Sequence, residues 1–143
     1  MQGRPHGFTL IELLVALALA GLLAAIAIPR ASASLDRLGV RGAAQDVVLA
    51  IAAARAAAQR RGDYASFVAD PRTGRVRAVC AGETLFERDV AGARGVRLEA
   101  TRESITFTPT GMGWGAANTT VIVTRGGSAD TIVTSRLGRV RGS

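Results

Sequence analysis

Gly7-Phe8-Thr9-Leu10-Ile11-Glu12-Leu13-Leu14-Val15 opens a run that stays apolar to Ile28 but for Thr9 and the carboxylate of Glu12. Some 20 residues, at ~1.5 Å of helical rise each, cross a hydrocarbon core of ~30 Å. A charge inside such a run costs at least ~2.5 kcal/mol on insertion scales, so Glu12 needs a partner or a purpose. Ahead of it lies a short basic leader, Met1-Gln2-Gly3-Arg4-Pro5-His6-Gly7. Two ordinary readings compete. One is a secretory signal with Ala31-Ser32-Ala33 as its small-residue cleavage site, and the other is an unprocessed membrane anchor. Neither accounts for a glutamate within the apolar run or for a Gly-Phe junction directly before it.

Downstream, Pro29 lacks a backbone donor and tends to kink a helix, and Arg30 suits a membrane boundary. From Leu35 to Arg61 the period is helical. Ala44, Val47, Val48, Ile51, Ala54 and Ala58 form one narrow stripe whose alanines suit close packing on a sheet. Gly39 and Gly42 each weaken the helix by about 1 kcal/mol relative to alanine, so a bend is expected there. Gly62-Asp63 ends it. Beyond that point the period becomes two. Strands are predicted at residues 64–69 and 75–80 around the turn Asp70-Pro71-Arg72-Thr73-Gly74, then at 84–88, 96–100 and 104–108. Residues 119–125 and 130–136 form a hairpin about Gly126-Gly127-Ser128. The glycine-dense stretch from Pro109 to Asn118 fits neither a P-loop nor a dinucleotide fingerprint, because no helix pattern follows. It reads as a loop with Trp114 as a packing plug or a contact residue.

Composition narrows the function. The chain has 143 residues, and its 18 basic side chains against 11 acidic ones give +7, every cation an arginine. Losing Arg4 with the leader leaves 17 against 11, or +6. Such an excess favours anionic partners, nucleic acid or phospholipid, although solubility alone can explain a few charges. Cys80 is the only cysteine, so no intramolecular disulfide is possible. The one histidine, His6, lies in the leader, and there is no lysine. A catalytic triad, a Cys-His pair, a Schiff-base lysine and a histidine zinc site are therefore not available to the chain without its leader. The pairs Glu87/Asp89 and Glu99/Glu103 are interleaved with arginines and read as solvated faces. The expectation is a non-enzyme with no cofactor and no metal.

Over Gly7 to Val15 the sequence resembles, residue by residue, the type IV pilin and pseudopilin superfamily. The resemblance implies that a prepilin peptidase cuts after Gly7, that Phe8 is then N-methylated, and that Glu12 guides filament assembly. It implies an α+β fold with one long N-terminal helix packed on an antiparallel β-sheet head. Residues 1–7 would be a removed leader, 8–61 the helix with 8–28 in the membrane, and 62–143 a β-rich periplasmic head. Many major pilins carry a C-terminal disulfide loop; the lone Cys80 departs from that and points to a minor pilin or pseudopilin. The segment Phe-Thr-Pro-x-Gly (Phe107 to Gly111), a strand pair and Gly-Arg-Val-Arg (Gly138 to Arg141) resemble the GspH/FimT family.

That family implies a subunit near the tip of a type II secretion pseudopilus or a type IV pilus, helping to prime and cap it. Its partners would be other minor and major pilins, and it would be a single-pass protein of the inner membrane. Some members bind DNA through a similar tail, which makes Arg139 and Arg141 candidates; Arg125 and Arg136, closing the neighbouring hairpin, would widen the patch. A break at Gly138 would let Leu137 pack while both tail arginines reach solvent. With no base-reading helix or aromatic platform evident, binding is expected to be sequence-indifferent and salt-dependent. The alternatives are a dedicated DNA-binding minor pilin for uptake in transformation, and a soluble domain with a disposable signal.

Overall fold

The computed structural model describes residues 7–115, 117–135 and 139–142, and the chain divides between Ser34 and Leu35 into two compact units. Helix α1, Leu10–Arg61, is the regular structure of the first unit and the opening element of the second. In the first unit every described side chain from Gly7 to Ser34 is exposed. The segment is long and apolar enough to cross a membrane, and an apolar solvent is what an all-round apolar helix requires. Pro29 lies inside α1 and does not end it. One turn on, the hydroxyls of Ser32 and Ser34 donate back to the carbonyls of Pro29 (2.9 Å) and Arg30 (3.1 Å), which satisfies both groups within the helix.

In the second unit α1 buries Val40, Ala43, Ala44, Val47, Ala50, Ile51, Ala54, Ala57 and Ala58. The stripe is wider than the sequence suggests, and its axis is shifted: Val48, expected inside it, is 36% exposed. Side chains one position apart point ~100° apart on a helix, so Val47 and Val48 cannot both face the strands. The core opposite is Phe67, Phe107, Val76, Val121, Val123 and Ile132. Alanines on the helix leave room for these larger side chains, the interdigitation that close packing needs.

The strands form two antiparallel sheets of four rather than one. In the first, β1 (Ala65–Asp70), β2 (Arg75–Cys80) and β3 (Glu83–Asp89) run as a meander, and β5 (Ser104–Phe107) adds to the free edge of β1. In the second, β4 (Arg97–Ala100), β6 (Thr119–Arg125), β7 (Ser128–Thr134) and β8 (Val140–Gly142) lie in the order β4-β6-β7-β8. Between the sheets a short helix α2, Val90–Arg94, stands where the period-two reading left a connection. Its signals are local: Asp89 caps it by accepting from Gly92 N at 2.7 Å, and Gly95 closes it in the left-handed conformation.

Two turns behave as their residues demand. Asp70 accepts from the backbone N–H of Arg72 and Thr73. Hydrogen bonds, first from the Thr73 side chain and then from these amides, hold its carboxyl below the usual carboxylate range. That contribution is present above the unfolded carboxylate range and is lost as pH falls through the lowered value. The β6–β7 hairpin is tighter than predicted, because Arg125 pairs with Ser128 and leaves only Gly126-Gly127 as its turn. A side chain at Gly126 (φ +54°) would run into the carboxylate of Asp36.

α1 runs without interruption through Gly39 and Gly42. Their missing side chains serve packing. A Cβ on Gly42 would collide with the guanidinium of Arg94, and one on Gly39 would crowd Arg125. The two arginines lie across these bare stretches of helix. Arg94 Nε donates to Asp46 at 2.8 Å, while Arg125 donates to Asp36 (3.0 Å) and to the carbonyl of Arg94 (2.6 Å).

Candidate functional site

The N-terminal segment carries the first set of candidates. Gly7, Phe8 and Thr9 lie outside regular structure, and Phe8 is 80% exposed. The Gly7–Phe8 peptide bond is thus in open backbone just ahead of α1. Glu12 does not stand alone. Its Oε2 accepts from the backbone N–H and the hydroxyl of Thr9, both at 3.1 Å, while Thr9 Oγ1 accepts from Glu12 N at 3.3 Å. This is a reciprocal capping box, readable in the sequence as Thr-x-x-Glu before an apolar run. It satisfies two otherwise orphaned donors at the start of α1 and places negative charge where the helix dipole favours it. The carboxylate remains exposed and keeps acceptor capacity for a second cation.

The C-terminal candidates fall differently. Arg139 and Arg141 are exposed, and together with Val133 and Ser135 they line a shallow hollow of about 360 Å³. They share a face because Val140–Gly142 is a strand, β8, hydrogen-bonded to the edge of β7 with Arg141 opposite Val133. Ser135 N donates to Arg139 O at 2.8 Å and Ser135 Oγ accepts from Arg139 N at 3.2 Å, which fixes the start of the strand. Two residues of strand separate the guanidinium stems by about 6.5 Å. Arg136, Leu137 and Gly138 lie outside the described residues.

Arg125 is a correction. It sits at the far end of β6 from Thr119, the residue that pairs with Thr134 beside the tail. Its side chain turns to Asp36 and the backbone of α2, and its charge is compensated there. Proximity in sequence to the hairpin turn suggested a shared basic patch; the antiparallel register puts the turn and the tail at opposite ends of β7.

The structure also assembles what the sequence did not show. Tyr64 and Trp114, 50 positions apart, pack edge to face with ring centroids 5.5 Å apart. Both stay open, at 45% and 61% exposure, so Trp114 does not plug the core. The loop before it is held by Thr108 N donating to Met112 O, and Trp114 N donating to Thr106 O, each at 2.8 Å. A larger hollow, about 430 Å³, runs between α1 and β7 and is lined among others by Arg41, Ala44, Val48, Leu49, Asp130 and Ile132. Its lining holds one carboxylate, Asp130, and neither histidine nor cysteine. No group of His, Cys, Asp and Glu able to hold a metal occurs among the described residues.

Comparison with known proteins agrees with this geometry. Residues 3–28 match the model of the prokaryotic N-terminal methylation motif, and residues 43–138 match that of the type II transport protein GspH. No curated protein matches the chain. Among solved structures, two crystal forms of the type IV minor pilin FimU of Pseudomonas aeruginosa strain PAO1 share its fold. One is 19% identical with a TM-score of 0.61, over 73% of this chain and 88% of that one. The other is 17% identical with a TM-score of 0.59, over 72% and 91%.

Proposed function

This chain belongs to the GspH family, and on that premise we propose that it is a minor subunit that primes and caps a type II secretion pseudopilus or a type IV pilus, and that its head binds DNA. The observation that carries the first part is the capping-box carboxylate at the head of an exposed apolar segment. In a bilayer that carboxylate is costly unless a cation sits beside it. In a filament, the charged terminus of a neighbouring subunit supplies one. The chain is then a single-pass protein of the inner membrane, with a periplasmic head and a place at the filament tip. Prepilin peptidase and other pilins are its protein partners. Glu12→Gln keeps the length and apolarity of the anchor, and is expected to leave membrane fractionation intact while cutting co-purification with other pilins at least tenfold. Unchanged assembly of that variant removes the role assigned to Glu12.

The DNA reading is supported by Arg139 and Arg141 lying exposed on either side of Val140, at the edge of β7. Each guanidinium can neutralise one phosphate, releasing counterions. For the full chain in detergent micelles, Arg139→Ala with Arg141→Ala is expected to flatten the slope of log K against log salt by about 2. The measurement is an anisotropy titration of labelled DNA at several salt concentrations. A double variant that keeps the wild-type slope places the DNA site elsewhere. A wild-type chain that binds nothing at low salt leaves assembly as the whole function. The same chemistry serves a minor pilin dedicated to DNA uptake.

A further inference from the structure

We infer that Arg37 and Arg41 hold the phosphodiester of an anionic phospholipid headgroup, at the end of the head where the chain enters from the apolar segment. The inference rests on the single-pass membrane reading above and adds to it a site and a ligand class. The two arginines are one helical turn apart on α1, so their side chains leave the same face. Together with Gly127, Ser128 and Asp130, among others, they line a hollow of about 440 Å³ between α1 and the β6–β7 turn. Both are exposed, and neither forms an ion pair among the described residues. A Cβ on Gly127 would meet no atom within 4 Å, so the turn leaves the hollow open.

The charges around this hollow decide which anion it suits. Asp36, beside the turn, is taken by Arg125 at 3.0 Å. Asp130 is the one carboxylate of the lining. Its Oδ1 is buried without a hydrogen-bond partner, and a Cβ on Gly142 would stand 3.9 Å from it, so that oxygen lies towards the tail strand. Two cations and one anion leave the hollow a single positive charge. A phosphodiester carries a single negative charge, and its oxygens accept the forked donors of guanidinium groups.

Position decides between a lipid and DNA. Gly126 abuts the carboxylate of Asp36, the second residue of the unit that begins at Leu35. Val140, between the tail arginines, lies instead beside Arg55 and Gln59, close to the last turn of α1. The hollow and the tail arginines are therefore at opposite ends of the helical part of the head. Along α1, Arg37 comes nine residues after Ile28, where the apolar run ends, a rise of ~13 Å. The headgroup layer outside the hydrocarbon takes up about 5–7 Å of that. Arg37 is thus within a Debye length, about 8 Å, of the lipid surface, the range over which an anionic leaflet attracts a cation.

The full chain in maltoside micelles is mixed with equal amounts of phosphatidylglycerol and phosphatidylcholine and repurified, and the retained lipid is quantified by mass spectrometry. Phosphatidylglycerol is expected in excess. Arg37→Gln with Arg41→Gln should lower that excess about thirtyfold, and each single variant about fivefold, the factor for one cation near an anionic surface. Arg60→Gln with Arg102→Gln removes as much charge at the far end of the head, in the last turn of α1 and beside Thr119, and should change nothing. Equal loss in that control pair shows a charge effect without a site and overturns the inference. Glycerophosphoglycerol, the same headgroup without acyl chains, is expected to displace little of the lipid at equal concentration; full displacement shows a soluble phosphodiester as the ligand and overturns the lipid. A DNA salt slope that flattens in the Arg37/Arg41 variant while lipid retention holds overturns it too, in favour of DNA. No excess of phosphatidylglycerol, in a chain that still sediments with membranes, overturns this site and leaves the membrane reading standing. A chain that does not sediment with membranes overturns both.

Discussion

Phe107→Ala is expected to destabilise the head by about 3–5 kcal/mol, at the upper end of what a single core truncation costs. Phe107 is fully buried on β5, opposite Ala65 of β1 and bridged to Gly113 on its other side. Removing the ring costs its transfer energy and leaves a cavity whose price depends on how far the surroundings collapse. They cannot collapse far. Six of the nine buried positions on α1 are alanine, which has no rotamer to swing into a hole, and the neighbouring strand β1 is held between β2 and β5. Against a typical domain stability of about 5–15 kcal/mol, the variant should sit near its folding threshold. Chemical denaturation of the full chain in detergent, followed by circular dichroism, measures the change. Tyr64→Ala, at an exposed ring, serves as the control and should move it by under about 1 kcal/mol. A loss below about 1 kcal/mol for Phe107→Ala would show that the core is looser than its burial implies.

In cells that contain a prepilin peptidase, the mature chain is expected to begin Phe8-Thr9-Leu10 and to carry one methyl group on its new amine. Cleavage creates a cation one residue ahead of Thr9, at the positive end of a helix dipole, where it is disfavoured. It is this amine that the proposed pairing with a neighbouring subunit's Glu12 would compensate. N-terminal sequencing and intact mass decide the outcome, and Gly7→Val should retain all seven leader residues, since a branched side chain replaces the bare backbone at the cut. A mature start at Ser34 would instead mean that the apolar segment is a disposable signal, and the filament reading would fall with it.

Several features were legible because their causes are local. An unbroken apolar run with one carboxylate needs no tertiary partner to be recognised, and the change from helical period to period two at Gly62 marks the real end of α1. The Thr9–Glu12 box and the caps of α2, which period alone did not reveal, are equally local, since each involves residues three or four positions apart. Periodicity found the buried face of α1 but not its limits: which of Val47 and Val48 is buried depends on where the strands lie.

Arginine usage separates what one chain of letters determines from what only the folded molecule decides. The sequence by itself establishes the membrane-length helix, its processing motif, a β-rich head and a surplus of arginine. It cannot say which arginines are compensated. Arg125 meets a carboxylate 89 positions away and Arg94 one 48 positions away, whereas Arg139 and Arg141 lie exposed beside Val133 on an edge strand. Likewise Tyr64 and Trp114 become one surface only when β5 closes on β1 and the loop after it folds back on β5. Such contacts depend on strand register and on how two sheets share one helix. Those are properties of the packed chain, set by burying Phe67, Phe107 and Ile132 together, and no local pattern encodes them.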